Sequence, residues 1–246
     1  MLWVIIMWNT LWRMLMKCKI ADLNIEINNR GDFLTRLCEK YFGDFSSPDI
    51  SLSVSDQELE KELAFGSSKG YAESVAACRK LAYELPRYDA FLLHAATFEI
   101  EGKGIAFLGN SGTGKSTHML LWKELFGDKL TVINGDKPIV RLLSGRPVAY
   151  GTPWCGKEGL SENRSTPLTD ICFIVRSDKN EVVPITSEDG AGRILSQIII
   201  PPGSENILKI TELLDKTILG CRLWEIRCNT DISSAQISSK KILEVK

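Results

Sequence analysis

An α/β fold built on a mixed β-sheet, with a small α+β lobe ahead of it, is what this 246-residue sequence predicts, and three features carry that expectation. A glycine-rich loop at residues 109–117 stands between an apolar run and an amphipathic helical pattern. A second apolar run, 130–136, follows that helix and ends on a carboxylate. Short strand-like segments then recur too closely for a regular alternation of strand and helix, which favours a mixed sheet over a parallel one.

The loop reads Gly109, Asn110, Ser111, Gly112, Thr113, Gly114, Lys115, Ser116 and Thr117, a full match to G-x-x-x-x-G-K-[ST]. Glycines at 109, 112 and 114 open backbone angles closed to other residues, so successive N–H groups turn inward around an anion. Lys115 is then placed for the β and γ phosphates of a nucleoside triphosphate, and the Ser116 hydroxyl for the accompanying Mg²⁺. Such a pattern has meaning only where a strand feeds it and a helix leaves it. Residues 104–108 are an apolar run of strand length, preceded by the alternating 96–101 and a Gly102-Lys103 turn. Over 116–126, Met119, Leu120, Trp122, Leu125 and Phe126 fall at helical spacing, and Gly127 suits the C-terminal cap.

With 44% apolar and 25% charged residues, the composition is that of a globular protein and excludes disorder as the main state. A net charge of −1 gives no basic field, so nucleic acid is not indicated as a partner. Seven cysteines, at 18, 38, 78, 155, 172, 221 and 228, lack C-x-x-C pairs and read as free thiols in a reducing cytoplasm. The first sixteen residues hold Trp3, Trp8 and Trp12, with no charge before Arg13. They lack the basic start and cleavage site of a secretory signal and fall short of the about 20 residues a membrane span needs. We read residues 1–16 as an extension upstream of the true start. An interfacial anchor is the alternative, and it lacks a basic face.

Residues 17–90 read as the small lobe: strand alternation over 19–27 and 49–54, helical patterns over 33–42 and 71–85, the latter ended by Pro86. Residues 91–246 form the main domain. Its later segments read as strands over 146–150, 171–175, 181–185 and 222–227, and as helices over 189–200 and 205–219, with Pro201-Pro202-Gly203 between those helices.

Asp136 ends the 130–136 run, at the edge where open α/β sheets bind ligands, and there it can hold Mg²⁺ or accept a proton from an attacking hydroxyl. In the punctuated segment 151–157, Trp154 offers a flat face and Lys157 a cation. Phosphoryl transfer needs positive charge beyond one loop lysine, and Lys157, Arg164 and Arg176 are nominated for it in that order. His94 lies in an apolar strand, where an imidazole is commonly a packed residue. His118, one turn into the helix after the loop, reads as a packing or capping residue.

The order Leu93-His94-Ala95-Ala96, hairpin, glycine loop and Asn134-Gly135-Asp136 resembles the nucleotide-binding core of the HPr kinase/phosphorylase family, which shares its fold with phosphoenolpyruvate carboxykinases. The resemblance covers roughly residues 91–199. It implies a P-loop core, use of ATP and Mg²⁺, an assisting histidine at His94, and a base or metal ligand at Asp136. The family's adjacent Asp pair is Gly135-Asp136 here, and residues 150–157 replace its signature loop, so neither HPr nor the reverse phosphorylase reaction carries over. The resulting expectation is a cytoplasmic ATP-dependent kinase whose acceptor is a hydroxyl of a peptide, protein or small molecule, compatible with a homo-oligomer. A nucleotide switch without acceptor and a carboxykinase-like lyase are the alternatives.

Overall fold

Alternation of apolar and polar residues governs the first strands. In the computed structural model, which describes residues 14–244, strand β1 (Met14–Ile20) leads into β2 (Leu23–Asn29), whose odd-numbered side chains are buried and even-numbered ones half-exposed. The 19–27 stretch was expected to be one strand, but Ala21 and Asp22 take left-handed angles, φ 54° and 57°, and divide it. A two-residue connection of this kind usually announces itself through Asn-Gly or Asp-Gly, and Ala-Asp gives no such signal. Helix α1 (Asp32–Cys38), strand β3 (Ile50–Ser53) and helix α2 (Asp56–Leu63) follow, and β2 pairs with β3 in parallel. Helix α2 starts at a capping box: the Ser55 N–H donates to Glu58 and the Glu58 N–H donates back to the Ser55 hydroxyl. Helix α3 (Lys69–Glu84) closes this part of the chain.

The chain divides into two units, one comprising the chain up to Lys19 with Leu23–Cys78, the other Ile20–Asp22 with Arg79–Lys246. Residues 1–13, most of the segment read as an extension, lie outside the described residues, whereas Met14–Met16 open β1 and Met16 is buried.

In the second unit the order is β4 (Ala90–Leu92), β5 (Ala95–Ile100), β6 (Lys103–Leu108), α4 (Lys115–Phe126), β7 (Leu130–Asn134), β8 (Ile139–Leu143), β9 (Arg146–Tyr150), β10 (Ser165–Arg176), β11 (Glu181–Pro184), α5 (Ser187–Leu195), α6 (Ser204–Leu219), β12 (Arg222–Cys228) and α7 (Ile232–Glu244). The strands form one nine-stranded mixed sheet with the path β4-β8-β9-β10-β6-β5-β7, β12 joining β10 and β11 joining β12. Strand β10 is the hinge of this topology. Its first residues pair antiparallel with β9, while its later ones lie parallel to both β6 and β12. Asp170, fully buried on β10, accepts from the Arg222 guanidinium and the Trp224 indole, 2.9 and 2.8 Å away, and so clamps β12 in place.

The central strands are apolar on both sides because helices cover both faces. Leu108 and Phe173 pack with Ile194 of α5 and with Ile210, Leu213 and Leu214 of α6. Their chain neighbours Phe107 and Cys172 pack on the opposite face with Met119 and Trp122 of α4 and Ala235 and Ile242 of α7. Helix α7 escapes periodicity reading because small Ser234, Ser238 and Ser239 face the core. With β5 antiparallel to both β6 and β7, the N-terminal end of β5 meets the C-terminal ends of β6, β7 and β10 at one edge of the sheet. Among the described residues no helix is long and apolar enough to cross a membrane.

Candidate functional site

At that edge, β6 ends at Leu108 and the glycine loop begins. Gly109 has φ 149°, and a Cβ there would come within 2.7 Å of the Thr113 hydroxyl and 3.3 Å of the Ile174 carbonyl, so only glycine fits. The Thr113 N–H and hydroxyl both donate to the Asn110 carbonyl, at 3.2 and 2.9 Å, closing the turn. Gly112 and Gly114 are left-handed, at φ 80° and 109°, and face open space. Helix α4 starts at Lys115 with no side chain capping it. Its first turn therefore has N–H groups with no partner in the helix, at the positive end of the helix dipole.

Lys115 is buried and its ammonium donates to the Gly109 carbonyl at 2.8 Å and to Asn110 at 3.4 Å. Burial lowers its pKa; the nearby charge of Asp136 opposes that and the charge of Lys137 adds to it. Ser116 is half-buried; Asn110, Ser111, Gly112 and Thr117 are exposed.

Strand β7 stops at Asn134, two residues short of the expected end, and Asp136 stands on the turn that follows. The fully buried Asn134 builds that turn. Its Oδ1 accepts from the N–H groups of Asp136 and Lys137, at 2.8 and 2.6 Å, and its amide donates to Thr152. Asn is suited to bond its own backbone two residues on, and the Asn-Gly-Asp triplet carries that signal in the sequence. The Asp136 carbonyl accepts from Ala95 N–H at 3.0 Å, and the His94 Nε2 lies 3.2 Å from Asp136 Oδ1. His94 sits between β4 and β5 rather than within a strand, its backbone N–H donating to the Gln197 carbonyl at 2.8 Å. Lys137 Nζ reaches the same Asp136 oxygen at 3.1 Å. Burial alone would raise the Asp136 carboxyl, but the hydrogen bond with His94 and the charge and hydrogen bond of Lys137 outweigh it and bring it down to about 2.

The segment 151–157 lies against this turn. A Cβ at Gly135 would meet the Cys155 carbonyl at 2.7 Å, so an aspartate has no room where the resembling family carries one. Gly156, at φ 79°, approaches the Asp136 side chain, where an added Cβ would stand 3.1 Å away. Trp154 is buried, which withdraws the face it was expected to offer a ligand, and Lys157 and Arg164 are exposed. Of the three nominated cations, the last-ranked Arg176 donates to the Gly112 carbonyl of the loop. Lys137, not singled out from the sequence, is the cation on Asp136. Long-range pairing places Arg176, which the identity of a lone Arg does not report, whereas Lys137 is the chain neighbour of Asp136 and was open to local reading. His118 is buried in the core, with Nε2 2.9 Å from the Ser238 hydroxyl.

No protein-family model matches the chain, and no curated protein does. Among solved structures it is similar to the Hpr(Ser) kinase/phosphatase from Coxiella burnetii, over 62% of this chain and 91% of that one, at 10% identity and a TM-score of 0.35. A likeness this loose carries no argument about activity, which rests on the site itself.

Proposed function

We propose that this protein is an ATP-dependent kinase that transfers the γ-phosphoryl group to a hydroxyl. The observation that carries the reading is the His94–Asp136 pair, 3.2 Å apart, at the same sheet edge as an uncapped helix start, a glycine loop and Lys115. The residues suit the nucleotide. Left-handed Gly112 and Gly114 face open space, and the free N–H groups of α4 together with Lys115 form a cationic cradle for phosphate oxygens. Oxygen donors at Ser116 and Asp136 suit a hard cation such as Mg²⁺, with the phosphates completing its ligands, since no group of three or more His, Cys, Asp or Glu side chains among the described residues is placed to hold a metal alone. Bound there, Mg²⁺ would neutralise charge on the phosphoryl oxygens.

In this mechanism Lys115 leaves the loop carbonyls for the β and γ phosphates. Asp136, at about 2, stays ionised at any working pH and is a weak base, so its tasks are to ligate the metal and to orient His94. With an Nε2–H donated to Asp136, Nδ1 of His94 carries the lone pair that accepts the proton of the acceptor hydroxyl. The freed oxygen attacks the γ phosphorus as the bond to ADP breaks. Lys137 and Arg176 supply further positive charge.

Product analysis tests the reading. Incubation with γ-labelled ATP and candidate alcohols is expected to place label on an alcohol and to release ADP. Label appearing as free phosphate alone, whatever alcohol is present, would make the protein a nucleotide hydrolase or switch instead.

A further inference from the structure

Beside the loop runs a cleft of about 580 Å³, within the range of small-molecule sites. Residues 109–113 form one wall; the end of β10 and the end of α5 form the other. Arg176 and Arg193 both line it, and no acidic side chain does. Arg193 is held in place: its guanidinium lies 4.0 Å over the Phe173 ring, and it donates to Glu225 at 2.8 Å. Glu225 also accepts from Arg227 at 2.9 Å, and Arg227 in turn donates to Glu181 at 3.1 Å, a network that fixes the carboxylate holding Arg193. A fixed, planar guanidinium matches carboxylate and phosphate oxygens and discriminates poorly among neutral groups.

Gln197 lines the cleft, and the Gln197 carbonyl accepts the His94 N–H at 2.8 Å, so the lining at Gln197 is bonded to the His94 backbone, while Arg176 and Arg193 also line the cleft. Lys115 and Ser116, assigned above to the nucleotide at the helix end of the loop, do not line it, whereas Gly112 and Arg176 border both the cleft and the phosphate cradle. We infer that this cleft binds the acceptor, and that the acceptor is an anionic alcohol whose carboxylate or phosphate meets Arg193 while its hydroxyl lies toward His94. The inference rests on the kinase reading above.

Calorimetry on the full chain with Mg²⁺ and a non-hydrolysable ATP analogue tests it. The probes are glycerate, glycerol 3-phosphate and a serine peptide flanked by glutamates, against glycerol and the same peptide flanked by glutamines. At least one anionic probe is expected to bind about tenfold or more tightly than its neutral counterpart. Preference for the small acids or for the peptide identifies the source of the anionic group. Arg193→Gln and, independently, Ser196→Glu, which sets a carboxylate into the cleft, are expected to erase that preference and leave affinity for the analogue unaltered. Equal binding of charged and neutral probes, or none at all, overturns the inference. So does an Arg193→Gln protein that loses the analogue as well, since the cleft would then hold nucleotide. Selective binding that yields no phosphorylated product once ATP replaces the analogue would instead overturn the kinase reading, leaving an anion site without an acceptor role.

Discussion

Lys115 gives up water for two loop carbonyls, neither of which carries a charge to pair with its ammonium. Lys115→Ala removes the charge that meets the phosphates and leaves the glycine backbone intact, so ATP affinity is expected to fall about tenfold or more with the fold retained. Calorimetry with a circular-dichroism control measures both, and an unchanged affinity would remove the nucleotide assignment. For the pair beside it, Asp136→Asn and His94→Ala are expected to hold ATP affinity within about tenfold while slowing phosphoryl transfer about a hundredfold or more in single-turnover assays. Full transfer in the His94 variant would reduce the imidazole to packing. Asp136 also contributes stability of known sign. Its folded pKa of about 2 lies below the ordinary carboxylate value of 3.8, so the contribution is complete above about pH 4 and is lost as pH falls toward 2. Acid denaturation of Asp136→Asn should lack that component.

Helices α4 and α7 meet through a polar contact inside an apolar interface. The Ser238 hydroxyl lies 2.9 Å from both the His118 Nε2 and the Trp122 indole nitrogen. Burial pushes His118 down to about 4. The unfolded chain takes up a proton near pH 6.5 that the folded chain refuses, so stability is expected to decline from about pH 6.5 to about pH 4, by an amount of the order of 3 kcal/mol. Urea titrations across that range should show the decline in the native protein and lose most of it in His118→Gln. Ser238→Ala strands the Trp122 N–H in the core and is expected to cost about 1–3 kcal/mol. Pairing of this kind explains why α4 was legible and α7 was not. Large apolar residues at helical spacing mark α4, whereas the buried serines of α7 look like solvent-facing positions until their partners on α4 are known.

For the whole molecule, the mixed sheet converges on one edge, and the described elements begin at Met14. A chain starting at Met14 keeps all of them and is expected to bind ATP as the full-length protein does; a chain starting at Lys17 loses three residues of β1, including the buried Met16, and is expected to be less stable. Thermal unfolding of the two truncations, with ATP titration of each, checks this. An equally stable Lys17 start would return residues 14–16 to the status of an extension.

Features encoded by neighbouring residues were determined by the sequence alone: the strand, loop and helix around 104–126, and helix α6, which begins within a residue of where its periodicity placed it. Their causes are short-range, namely apolar period, glycine angles and helix ends. The tertiary structure alone decided what stands around the loop. It brought His94 to Asp136 across 42 positions of chain and Arg176 to Gly112, buried Trp154, and closed position 135 to any side chain. Those contacts follow from strand order and register, which depend on packing both faces of the sheet at once, and no single stretch of the chain contains that information.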